Sequence, residues 1–81
     1  MNETKRLSLK IIFSRHAKGR MRWRKISEED VKATILKSEK IEESKKGRKN
    51  AFKHIDRKWI KVTFIEEVDT IKIITALDKN N

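Results

Sequence analysis

The chain has 81 residues, 22 Lys+Arg against 12 Asp+Glu, a net charge of +10 at pH 7 and 36% apolar residues. That length holds one domain, expected to span residues 1–81, and one small core, since so short a chain buries only about 60–65% of its unfolded surface. The absence of Cys excludes disulfides, thiolate zinc sites and thiol nucleophiles, and no run approaches the ~20 apolar residues of a membrane span.

In chain order, Leu7-Ser8-Leu9-Lys10-Ile11-Ile12-Phe13 alternates as a strand with Leu7, Leu9, Ile11 and Phe13 on one face. Its apolar run is too short and interrupted for a secretion signal, so a cytoplasmic protein is expected. Ser14 then stands as the N-cap of a short helix running to Arg24 or Lys25. Its apolar contacts are few: Ala17, Met21 and, as a further candidate, Trp23. Gly19 lies within it, at a cost of roughly 1 kcal/mol relative to Ala.

A second helix opens at Ser27-Glu28-Glu29-Asp30, a Ser N-cap followed by three carboxylates that suit the capping-box pattern and the helix dipole. Val31, Ile35 and Leu36 form its apolar stripe, Ile26 sits where a hydrophobic staple packs, and the helix is expected to end near Ser38. Lys40–Glu43 is a short strand, and residues 45–50 are a basic turn. Ala51–Ile55, Trp59–Ile65 and Thr70–Leu77 follow as strands, joined by Asp56-Arg57-Lys58 and by residues 66–69. The fold class is therefore α+β, β-α-α-β-β-β(-β), with two helices against a mainly antiparallel sheet.

The charge is uneven. Residues 1–25 carry +8 and residues 45–61 carry +7, whereas residues 26–44 carry −3 and residues 62–81 carry −2. Two basic blocks around an acidic one favour a polyanionic partner, above all nucleic acid, through phosphate neutralisation and counterion release. An ordinary solvated, Lys-rich face has the same composition.

His16, Arg20 and Arg24 recur at i, i+4 and i+8, hence on one helix face. Cations stacked in this way repel one another, and an anion across from them gives the arrangement a purpose. Arg offers a planar fork to phosphate and His titrates near neutral pH. An exposed basic stripe is the plainer reading. Arg15, Arg48, Lys49, Lys53 and His54 are further candidates for nucleic-acid contact. Trp23 and Trp59 are suited either to stacking on bases or to anchoring the core. Thr75 interrupts the last apolar strand, either as a β-former or as a hydroxyl on a working face.

There is no Gly-rich phosphate loop, no HExxH and no CxxC. Two His offer little to a transition metal, and the acidic clusters fall in the capping turn and at Glu66-Glu67, so a two-metal nuclease is poorly supported. No cofactor and no bound metal are expected. A nuclease of this composition would use RNA, whose own 2′-OH attacks the adjacent phosphate with help from a base, an acid and cations.

His16-Ala17, Arg20-Met21, Arg24, Ile26-Ser27 and Asp30-Val31 resemble the HAxxRMxxRxIsxxxV signature of a family of small, mostly uncharacterised bacterial and archaeal domains, and Ile74-Thr75 resembles its last-strand ending. That family is similar to the RelE/ParE toxin superfamily, some of whose members act on targets other than RNA, and to the wider group of metal-independent RNases with that fold. The resemblance covers roughly residues 9–77 and implies a RelE-like fold. It implies more weakly a ribonuclease toxin counteracted by a small acidic antitoxin protein, with His16, Arg20, Arg24 and Thr75 as catalytic positions. The chain departs from many RelE-like RNases in having no Tyr.

The leading expectation is thus a toxin-type, metal-independent endoribonuclease. A non-catalytic nucleic-acid-binding module and a domain that binds an acidic protein partner stand as alternatives.

Overall fold

The computed structural model describes residues 10–80. In chain order these form β1 (Lys10–Phe13), α1 (Arg15–Arg24), α2 (Glu28–Leu36), β2 (Lys40–Glu43), a 3-10 turn at Lys45–Gly47, β3 (Arg48–Ile55), β4 (Lys58–Glu66) and β5 (Thr70–Asp78). The expected strand positions Leu7 and Leu9 lie outside the described residues.

Both helices begin where the sequence expects them, and for the expected reason. The Ser14 hydroxyl accepts the Ala17 backbone N–H at 3.0 Å, and the Ser27 hydroxyl accepts that of Asp30 at 3.0 Å. Asp30 completes the capping box by accepting the Ser27 N–H at 3.4 Å. α1 ends in a Schellman motif: the Lys25 N–H donates to Arg22, and the Ile26 N–H to Met21 at 2.9 Å. This closure requires a left-handed residue, and Lys25 adopts φ 59° there. Ile26 and Met21, the apolar pair that accompanies the motif, are both buried.

The strands form one sheet in the order β1-β5-β4-β3-β2. Only the β1–β5 pair is parallel; the other neighbours run antiparallel. α1 packs on β5, and α2 packs on β3 and β4. The two helices therefore cover one face, giving an α+β architecture. Ile60, Val62 and Phe64 of β4, Ile71 and Ile73 of β5, and Val31 and Ile35 of α2 make the buried layer between them. Thr34, which is fully buried, satisfies its hydroxyl on the Asp30 carbonyl at 2.8 Å. Among the described residues, no helix is long and apolar enough to cross a membrane.

Three features differ from the sequence reading. The turn expected over residues 45–50 is shorter, because β3 begins at Arg48, paired to Ile65 of β4. The α2 helix stops at Leu36 rather than near Ser38. Trp23 makes no part of the core: it is 77% exposed.

A bulge in β5 decides which side chains face away from the helices. Phe64 pairs with Ile73 and Thr63 with Thr75, so Ile74 is an extra residue without an opposite number. Before the bulge Ile71 and Ile73 point into the core; after it Ala76 does. Strict alternation from Ile73 would have turned Thr75 inward. The extra residue instead places it on the open face of the sheet, in register with Thr63.

Candidate nucleic-acid interface

Within α1, Arg15, His16, Lys18, Arg20, Arg22 and Arg24 supply every charged or titratable side chain, and no carboxylate is present. The helix buries only Ala17 and Met21. His16 and Arg20 are exposed and Arg24 is half-buried. Among the described residues the ion pairs are Lys40–Glu42, Lys49–Glu66 and His54–Glu39, none of which involves α1. Arg22 and Arg24 suit the negative end of the helix dipole, whereas Arg15 and His16 stand at the positive end, where it works against them. Among the described residues, no ion pair compensates the positive charge concentrated on this helix.

Arg24 ties the cationic flank to the sheet. Its Nη1 donates to the Ala76 carbonyl at 2.9 Å, on a stretch of β5 beyond the residues that pair with β1. Thr75 precedes that carbonyl, with its side chain on the open face. Arg24 thus reaches the backbone next to Thr75, but the Thr75 side chain points to the face of the sheet away from α1, so the structure does not gather it with His16, Arg20 and Arg24. A cleft of about 350 Å³ opens at this end of the helix between Trp23, Arg24, Leu77 and Asp78. A second, of about 430 Å³, lies between Phe13, Arg15, Lys18, Gly19 and Arg22.

The other candidates are dispersed by strand alternation. Arg48 and His54 point to the open face from the two ends of β3, opposite Ile65 and Trp59. Lys49 and Lys53 point to the helix side, opposite Phe64 and Ile60. Lys49 is paired with Glu66 at 3.6 Å. Arg15 is exposed at the start of α1. These five do not form one patch with His16.

His54 belongs instead to a local cluster. Glu39 accepts the His54 backbone N–H at 2.9 Å through Oε2, and its Oε1 lies 3.1 Å from His54 Nδ1. The imidazole lies against Trp59, ring centroids 4.0 Å apart, and Trp59 stacks on Phe52 at 5.5 Å. Lys40 and Lys79 stand over the Phe52 ring. The His54 backbone N–H, and after it the imidazole, hold the Glu39 carboxyl below its ordinary value. A depressed carboxylate contributes fully above its ordinary pKa, and the contribution is lost as pH falls through the lowered one. Likewise, the Lys40 ammonium holds the Glu42 carboxyl down.

Sequence reasoning missed the clefts and the exposure of Trp23. The spacing His16, Arg20, Trp23 and Arg24 already puts the indole on the flank of the cations, but nothing in the sequence tells an exposed Trp from a core one. Among the described residues no three His, Cys, Asp or Glu side chains converge as a metal site. No curated protein and no solved structure matches the chain. A family described as a domain of unknown function (DUF4258) matches residues 13–78, from the last residue of β1 to the last of β5, and the chain belongs to that family.

Proposed function

We propose that the chain binds RNA through α1 and cleaves it as a metal-independent endoribonuclease of toxin type. The observation that carries this reading is the unpaired cationic flank His16–Arg20–Arg24, anchored to the β5 edge by Arg24. A phosphodiester is the anion that a column of guanidinium groups beside an imidazole suits best. The resemblance of the helix motif to the RelE/ParE superfamily supports the same substrate class and adds a small acidic antitoxin as the partner that would mask α1.

In this mechanism the ribose 2′-oxygen attacks the adjacent phosphorus as the P–O5′ bond breaks. The products are a 2′,3′-cyclic phosphate and a 5′-hydroxyl. His16 carries one leg of the proton traffic, taking the 2′-OH proton or supplying the one that the leaving oxygen needs, and solvent carries the other. Arg20 and Arg24 stabilise the charge that builds on the phosphate oxygens. Arg24 keeps further N–H donors for this task beyond the one given to Ala76. Thr75, on the open face, would meet only RNA that passes round the stretch of β5 beyond its pairing with β1, and Arg15, Arg48, Lys49, Lys53 and His54 extend the field that gathers RNA.

One observation favours a binding module without turnover: among the described residues His16 has no hydrogen-bond partner to orient its ring. The deciding experiment is incubation with end-labelled RNA in EDTA, and in a second arm with intact ribosomes in Mg2+ buffer, for wild type and His16→Ala. Cyclic phosphate ends from wild type, with the rate lowered about 10²–10⁴-fold in the variant, are the expected result. RNA bound but uncut in both arms would leave the binding module. Equal rates for the two proteins would remove His16 from the chemistry.

A further inference from the structure

Trp23 is the most conspicuous side chain that the proposed chemistry leaves unused. An indole 77% exposed on a ten-residue helix contributes little to the core and forgoes the stabilisation that burying an aromatic ring supplies. Trp59, by contrast, is half-buried against its neighbours, stacked on Phe52 and in tilted contact with His54. Trp23 forms one wall of the cleft closed by Arg24, Leu77 and Asp78. A rise of 1.5 Å per residue puts it about 10 Å along the axis from His16.

The cleft wall is chemically divided. Leu77 is apolar, Arg24 is cationic and held on the Ala76 carbonyl, and Asp78 is fixed because its Oδ1 accepts the backbone N–H groups of Trp59 and Asn80, each at 3.0 Å. A carboxylate at this position repels phosphate and accepts from amino or imino N–H groups. A guanidinium column running away from it attracts phosphate. A ligand with a planar, N–H-bearing end and an anionic end fits both halves in one orientation.

We propose that this cleft is a nucleobase subsite: a base of single-stranded RNA stacks on Trp23 with its N–H edge toward Asp78, while its sugar–phosphate lies along Arg24, Arg20 and His16. The inference rests on RNA being the ligand of α1 and adds the substrate's form, because a base inside a duplex cannot reach the indole. It makes Trp23 a specificity-determining residue for unpaired RNA over a bare polyanion.

The test is fluorescence anisotropy of a short labelled single-stranded RNA, competed by inorganic polyphosphate, with wild type, Trp23→Ala and Trp23→Phe. The side chain is exposed, so circular dichroism should be the same for all three. Alanine substitution at a base-stacking position is expected to weaken single-strand binding about 5- to 100-fold, with polyphosphate affinity unchanged and Trp23→Phe restoring most of the loss. Intrinsic fluorescence gives an independent readout: RNA should quench the wild type but leave Trp23→Phe, which keeps Trp59, nearly unquenched. If Trp23→Ala weakens RNA and polyphosphate equally, or neither, the subsite is overturned while RNA binding by α1 stands. If wild type binds polyphosphate and RNA alike at every salt concentration, base recognition is overturned in the same way. If wild type binds neither, the functional reading itself fails.

Discussion

The two helices lie side by side on one sheet and are built on opposite plans. α2 opens with Glu28, Glu29 and Asp30 at the positive end of its dipole, closes a capping box, and buries Val31, Thr34 and Ile35. α1 opens on Arg15 and His16, has no acidic residue, tolerates Gly19 and ends on a lysine with φ 59°. The N-terminal signals of α2 agree with helix formation, and burial of Val31, Thr34 and Ile35 offsets the lower helix propensity of these β-branched residues. In α1 several choices oppose it, and the tertiary contacts of Ala17, Met21 and the Arg24–Ala76 hydrogen bond supply what propensity does not. Departures of this kind, where a small domain holds an element that sequence preference disfavours, concentrate at working surfaces. The comparison gives α2 the plainer structural role and is consistent with the ligand contact proposed for α1.

The largest way to break that assignment is to remove a buried side chain from α2. Ile35 is fully buried, so Ile35→Ala should cost about 2–5 kcal/mol, measured by urea unfolding. The RNA affinity of the molecules that remain folded should be unchanged. A parallel loss of affinity would mean that α2 shapes the binding surface as well. Next in size is the cap: Ser27→Ala leaves the Asp30 N–H without its 3.0 Å acceptor and should cost about 1 kcal/mol, again with no effect on RNA.

The same contrast explains how much was legible in the sequence. α2 was readable because its signals are local: the Ser27 hydroxyl, the acidic first turn and the apolar spacing all lie within ten residues of one another. The boundary of β3 was not, because the ladder to Ile65, at the far end of the β3–β4 hairpin, sets it rather than any residue near Arg48. The Ile74 bulge was equally hidden: Ile71-Lys72-Ile73-Ile74-Thr75 carries no glycine to mark it, and pairing with β4 alone reveals that one residue is extra. That residue decides the face on which Thr75 sits. The dispersal of the basic loop candidates was available from parity, since Arg48 and His54 share one face of a strand and Lys49 and Lys53 the other. What parity cannot give is the partner, such as Glu66 for Lys49 or Glu39 for His54. The exposure of Trp23 depends on how far β5 and α1 leave the helix flank uncovered.

Gly19 offers the smallest and sharpest test of the comparison. Glycine in an exposed helix interior costs about 0.5–1 kcal/mol relative to alanine, through backbone freedom in the unfolded chain. Here no steric reason requires it: a Cβ built at residue 19 meets nothing within 4 Å, and its φ lies outside the left-handed region. Gly19→Ala should therefore stabilise the protein by about that amount, raising Tm by several degrees. If α1 were simply a weak structural helix, the substitution would strengthen it and do nothing else. If RNA lies close to this part of the helix, beside the cleft lined by Arg15, Lys18 and Arg22, the added methyl meets the ligand instead of the protein. With the phosphates held along His16, Arg20 and Arg24, as proposed, the expected result is higher Tm with RNA affinity intact. Higher Tm with weakened affinity would move the RNA path to the Arg15–Arg22 side of the helix, and it would give the glycine a reason that the fold alone does not supply.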